Sequence, residues 1–270
     1  MDVPVRSEPE APPRPQRPAD QLRAALDRGE LYLRFQPQLD VTTRKVVSVE
    51  AFLGWHHPTA GALTFSQFAA AAHEPELHVA IGEWAIREAC LEAARWMRSY
   101  GQRLPVSVNV SGIQIVDAGL AYVVRGALTE AELPAENLYL EISDTSITAT
   151  DMQSLQVLHE LHDRGVRFAV DDFGTGQTAH MRLKRFPVDQ LKIDVRFVAG
   201  LGGDARASAV AAAIVGIAHS MGATAVGEGV ETEDQMKELR VHGCDLAQGN
   251  HLCPPGDAGA LAAFLRKVRF

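Results

Sequence analysis

The chain has 270 residues, of which 46% are hydrophobic, and carries a formal net charge of -8. That length allows one large domain or two small ones with a sizeable core, while the acidic balance excludes a protein that wraps a long nucleic-acid polymer through lysine and arginine. No apolar run approaches membrane-spanning length, and Cys90, Cys244 and Cys253, odd in number, without C-x-x-C spacing and with no secretory leader ahead of them, lead to the expectation of a reduced cytoplasmic setting.

Residues 1 to about 18 include SEPEAPPRPQRPAD, rich in proline and charge. Such a segment buries little and reads as a flexible, partly extended tail that could tether a partner. From Gln21 onward, short β-rich runs alternate with longer amphipathic stretches, the pattern of β/α units around a parallel sheet. The runs LYLRFQPQL, KVVSVEAFL, VSVNVS, LYLEIS, RFAVDD, QLKIDVRFV, TAVGEGVE and LAQGNHL give eight predicted strands. Predicted helices include VAIGEWAIREACLEAARWMRSYG, with Ile81, Trp84, Ala85 and Ala89 at helical spacing, and ASAVAAAIVGIAHSMG, which ends at a glycine. Eight strands with interleaved helices in this length is the size of a (β/α)8 barrel over residues 19–270.

Side chains on a strand alternate between faces. In VSVNVS the valines 106, 108 and 110 oppose Ser107, Asn109 and Ser111; in LYLEIS, Glu141 opposes Leu138, Leu140 and Ile142. Likewise Lys192 and Asp194 oppose Leu191 and Ile193, and Ser48 and Glu50 oppose Val47, Val49 and Ala51. Outer faces covered by helices should be apolar, so the polar set belongs to the barrel interior or its rim. Glu50, Asn109, Glu141, Asp171, Asp172, Lys192, Glu228 and Gln248 then converge on the C-terminal mouth, where barrel active sites lie. Carboxylates gathered there would repel one another unless hard divalent cations such as Mg2+ or Mn2+ intervened, and two such ions suit in-line attack on a phosphodiester. GTGQTA after the RFAVDD strand also fits a dinucleotide fingerprint, with Asp194 about twenty residues on, but it is short and follows two aspartates that would repel a pyrophosphate. His159 and His162 in HELH read as a solvated helix face.

The motifs VEAFLGWHHP, VNVSGIQ, LEISDTS, DDFGTG, LKIDVRFV, VGEGVETEDQ and GCDLAQGN resemble, in family order over residues 21 to about 268, those of the EAL-domain family. These are phosphodiesterases that open cyclic di-GMP to linear pGpG. The resemblance implies a TIM-type barrel with one strand running against the others. It implies that Glu50, Asn109, Glu141 and Asp171 bind one metal and that Asp171 and Asp172 hold a second. Lys192 would orient the attacking water, with Glu228 near it as base or second-metal ligand. Gln36, Pro37, Phe52 and Gln248 would lie on the substrate side. Asp144, Gly174, Gly176 and Glu231 would support the site, and the loop opened by DDFGTG would couple it to a homodimer or another protein partner.

The sequence also departs from the family. Gly54 stands where an arginine usually follows the glutamate by four residues, removing a fork-shaped donor. Asp144 replaces a glutamate, Gln177 a tyrosine, Phe65 a proline and His73 a glutamate. Two readings follow: a metal-dependent phosphodiesterase with altered nucleotide binding, or a catalytically silent receptor or interaction module.

Overall fold

The computed structural model describes residues 17–72, 74–101, 103–174, 183 and 185–268. Residues 1–16 of the expected tail, His73, Gly176, Gln177 and nearly all of GTGQTA lie outside them.

Eight strands close a ring. β1 (Leu31–Asp40) pairs antiparallel with β2 (Val46–His57), and β3 (Gly61–Thr64) folds back on β2 as an antiparallel appendage. From β2 the ring continues in parallel through β4 (Val106–Asn109), β5 (Leu138–Ser143), β6 (Arg167–Phe173), β7 (Gln190–Ile193), β8 (Thr224–Gly227) and β9 (Leu246–Ala247). β9 returns to β1, again antiparallel. The fold is therefore a TIM-type barrel in which β1 is the reversed strand.

Alternation sorts the residues as expected over most of the ring. Val49, Val106, Val108, Leu138, Leu140, Ile142, Leu191 and Ile193 are buried in the main apolar core. Helices cover that outer face because their own apolar stripes match it. Pro75–Tyr100, which begins at a proline and ends against Gly101 at φ 65°, buries Ile81, Ala85 and Ala89, and sets Trp96 edge-on to Phe35 at 4.9 Å. A satellite cluster of Leu22, Ala25, Leu31, Trp55 and Phe68 joins the helix Pro18–Asp27 to the β2 hairpin.

Four expectations differ in detail. Val47 is exposed, because the β1–β2 register slips between Gln38 and Leu39 and Val46 takes the buried place. The QLKIDVRFV strand stops at Ile193, where the Asp194 carboxylate accepts from Arg196 N at 2.7 Å and starts the helix Val195–Ala199. TAVGEGVE is strand only to Gly227, and LAQGNHL only over Leu246–Ala247. β3 was absent from the strands predicted above, its four residues being too short to show periodicity.

Candidate active site

The site is built on Lys192. Its side chain, fully buried, runs along the inside of β7 and ends among four carboxylates, three from β2, β5 and β6 and one just past the end of β8. Nζ lies 2.5 Å from Glu141 Oε2, 2.7 Å from Glu228 Oε1, 3.0 Å from Glu50 Oε2 and 3.3 Å from Asp171 Oδ1. Asn109 Nδ2 donates to the other oxygen of Glu50 at 3.0 Å. Beneath, Gln248 Nε2 donates to Glu50 Oε2 at 2.8 Å and to Gln36 Oε1 at 2.9 Å, while Gln38 Nε2 donates to Gln248 Oε1 at 2.9 Å. Ser48 Oγ completes the chain by donating to Gln38 at 2.6 Å. Each of these polar side chains is thus held by a neighbour, which fixes Glu50 in one orientation.

Electrostatics follow from burial and crowding. Burial, and then repulsion from Glu50, push the Glu141 carboxyl up to about 8 despite Lys192. Burial likewise holds Glu228 well above the usual carboxylate range. Burial and the neighbouring Asp171 raise Asp172 to about 6. Burial opposes the charge on Lys192, but Asp171, Glu141, Glu228 and Glu50 outweigh it and keep its pKa well above the ordinary lysine value.

Two adjacent aspartates on a regular strand would point to opposite faces. Here the β6–β7 register shifts between Val170 and Phe173, and Asp172 takes the left-handed conformation at φ 54°. That backbone state costs about 1–2 kcal/mol for a residue with a Cβ, and aspartate is among the side chains that adopt it most readily. Its effect is to bring carboxylate oxygens of Asp171, Asp172 and Glu228 within 4.8 Å of one another. Gly174 follows at φ 96°, with Ile214 and Phe197 atoms 3.2 Å from where a Cβ would stand.

These donors fit a hard divalent cation. Three carboxylate oxygens converge, and Glu141 Oε1 is buried without a hydrogen-bond donor among the described residues, while Asp171 Oδ1 has only the Lys192 ammonium at 3.3 Å, outside hydrogen-bond geometry. An oxygen left so is one that a cation would satisfy.

Above the acids opens a cavity of about 620 Å3, whose wall includes Glu50, Phe52, Asn109, Asp171 and Glu228. Phe52 therefore stands on the cavity, whereas Gln36 and Gln248 lie under it in the amide chain and Pro37, paired with Val49, is buried on the opposite face of β1 from Gln36. Asp144 is buried in the first turn of the helix Asp144–Ala149. The Glu231 side chain is exposed, and its backbone N–H donates to Gln235 Oε1 at 2.7 Å. Tyr32 and Arg34 also line the cavity and were missed above. Their alternation with Gln36 and Gln38 along β1 was the signal that could have found them. His159 Nε2 lies 2.8 Å from Arg185 O and His162 Nε2 3.3 Å from Asp189 Oδ2, so each histidine has a protein partner.

Residues 19–255 match the model of the EAL domain. The chain belongs to the EAL domain family. Its EAL domain is 38% identical over 242 residues to MucR of Pseudomonas aeruginosa, a bifunctional diguanylate cyclase/cyclic di-GMP phosphodiesterase; the match covers 90% of this chain and 35% of that protein. NbdA of the same organism, a cyclic di-GMP phosphodiesterase, is 34% identical over 251 residues, covering 93% of this chain and 32% of NbdA. The chain thus spans about a third of each of these relatives. The solved structure of the PaMucR phosphodiesterase in its c-di-GMP complex has a TM-score of 0.86 to the present EAL domain at 36% identity, covering 91% of this chain and 100% of that one. No helix among the described residues is long and apolar enough to cross a membrane.

Proposed function

We propose that this chain is a metal-dependent phosphodiesterase that opens cyclic di-GMP to linear pGpG. The observation that carries the reading is the Lys192 ammonium bracketed by Glu50, Glu141, Asp171 and Glu228, with Asp172 turned back to join them. Glu50, Asn109, Glu141 and Asp171 would hold one Mg2+ or Mn2+, and Asp171, Asp172 and Glu228 a second. Such ions supply Lewis-acid polarisation of the phosphodiester and offset the acids' mutual repulsion. The chain's own side chains do the rest. Lys192 Nζ orients the attacking water, the Glu228 carboxylate takes its proton as the water oxygen bonds to phosphorus, and the P–O bond to the leaving ribose oxygen breaks, that oxygen taking a proton back from Glu228 or from solvent. Phe52 and the β2 wall position the nucleotide. Asp144, Gly174 and Glu231 support the loops around the acids, and Gln36, Pro37 and Gln248 sit behind the substrate side. The same reading makes residues 1–18 a tail on a barrel of residues 19–270. It also gives the domain a cytoplasmic setting, a homodimer and a protein partner met through the tail or the loop after Asp172.

Purified protein with Mg2+ or Mn2+ should convert cyclic di-GMP to pGpG, and Glu50→Ala should abolish turnover. No product at high enzyme concentration overturns the proposal. Gly54, in place of the family's usual arginine, favours a second reading, a receptor that binds cyclic di-GMP without hydrolysing it. Metal-dependent turnover removed by Glu50→Ala would refute that receptor.

A further inference from the structure

Because β1 is reversed, its early residues stand at the mouth of the barrel. Its inward row is Gln38, Gln36, Arg34 and Tyr32, and the ladder sets Gln36 opposite Glu50, Arg34 opposite Phe52 and Tyr32 opposite Gly54. Both glutamines are engaged in the amide chain below the acids. Arg34 and Tyr32 face the cavity instead.

Tyr32 occupies the space that a side chain at position 54 would need. A Cβ built on Gly54 falls 2.4 Å from Tyr32 Cζ and 2.7 Å from its Oη. The ring is held there by stacking on the His56 imidazole, with centroids 4.0 Å apart and planes 19° from parallel. Arg34 sits one ladder step deeper. Its Nη2 donates to the Pro255 carbonyl, Gln36 Nε2 donates to the Cys253 carbonyl at 2.9 Å, and Phe35 and Gly256 exchange backbone hydrogen bonds at 2.7 and 3.0 Å. The guanidinium is therefore tethered through Nη2, with most of its five donors unspent on the described residues.

Among the described residues lining the cavity, Arg34 is the only lysine or arginine, and it shares that wall with Glu50, Asp171 and Glu228. Lys192 lies below, wholly buried. An anionic ligand entering the cavity meets acids at the floor and a single exposed fork of N–H donors on the β1 side.

We propose that Arg34 is the substrate-anchoring cation of this chain, gripping a phosphate of the bound dinucleotide from β1, while Tyr32, closed over Gly54, keeps the β2 wall clear. This rests on the phosphodiester substrate proposed above. It assigns to the first strand a contact that a residue at position 54 would make from the second. The competing role for Arg34 is a strap for Pro255 and nothing more.

The two roles separate by substitution. Glutamine at position 34 keeps an N–H for the Pro255 carbonyl and loses the charge; lysine keeps the charge and loses the fork. Cyclic di-GMP binding is measured on metal-free wild type, Arg34→Gln and Arg34→Lys by equilibrium dialysis at two salt concentrations, alongside KM and kcat with Mn2+. Arg34→Gln should weaken binding about 10- to 100-fold, with kcat changed less than about threefold and a flatter salt dependence, and Arg34→Lys should recover part of the loss. Wild-type affinity in Arg34→Gln overturns the assignment and leaves the proposed activity standing. Wild-type protein that neither binds nor hydrolyses cyclic di-GMP removes both, and this is seen before any substitution is made.

Discussion

Replacing Lys192 by methionine keeps the length and apolar stem of the side chain and removes its charge. Four carboxylates then face one another with oxygens that had lain 2.5 to 3.3 Å from a common nitrogen. At neutral pH the raised Glu141 holds a proton, so the cation is offsetting the charge of the acids that remain ionised. Removing one partner of a buried ion pair costs about 3–5 kcal/mol, because the other charge stays buried and uncompensated. For a domain of this size each kcal/mol moves the melting temperature by about 2–4 °C, so a fall of about 6–20 °C is expected in chelator at pH 8. At pH 5.5 more of the acids are protonated in both proteins and the gap should narrow. Thermal melts followed by circular dichroism measure both values, and added Mn2+ should return part of the loss at pH 8. A fall below about 2 °C at pH 8, or an equal fall at both pH values, would refute the account of Lys192 as the counter-charge of the site. Turnover with saturating Mn2+ should drop at least about 100-fold, as loss of a group that handles the reacting water implies.

Metal-free wild-type protein should itself lose stability as pH rises. Folding lifts Glu141 from an ordinary 4.5 to about 8 and Asp172 from 3.8 to about 6, so their contribution is present in full below about pH 4 and lost as pH climbs through 6 to 8. Melting temperatures in chelator should fall between pH 5 and pH 8 and fall less with Mn2+, which competes with protons for the same oxygens; a flat profile in chelator contradicts the assignment. Gly54→Arg alone should cost about 1–3 kcal/mol in urea melts by driving Tyr32 off His56, whereas Gly54→Arg with Tyr32→Val should recover most of it. Additive losses would show that ring and residue 54 do not compete. Asp172→Asn keeps a side chain that tolerates the left-handed backbone and removes repulsion from Asp171, so it should raise the metal-free melting temperature while weakening Mn2+ binding at least about tenfold by calorimetry. A lower melting temperature in chelator would count against burial and the neighbouring Asp171 as the causes of the Asp172 shift.

Period-two alternation was enough to place Glu50, Asn109, Glu141 and Lys192 on the inward face, because those strands are regular and their outer faces are covered by helices. It failed where the backbone leaves the strand. Val47 sits at a register slip, and the end of QLKIDVRFV is a capped helix that shares the apolar composition of a strand. Asp171 and Asp172 were grouped correctly, yet alternation gives them opposite faces; the left-handed turn that reconciles them leaves little trace in residue type. Family resemblance supplied one reversed strand without saying which; the ladder makes it β1 and so places Tyr32 and Arg34 at the mouth. The Tyr32 ring over Gly54 is a contact between residues 22 apart in sequence, and no local pattern encodes it.

A mouth framed by loops can be remodelled by lengthening or shortening them. On the β1–β2 side that freedom is absent, since Tyr32, Arg34, Phe52 and Gly54 are fixed in height by a hydrogen-bonded ladder. Change there is restricted to swapping one side chain for another across the rung, bulk gained on one strand being matched by bulk given up on the other. Selectivity on this flank would then drift through paired exchanges, each of which reads as a defect when a single position is inspected and as a rearrangement when its cross-strand neighbour is inspected with it.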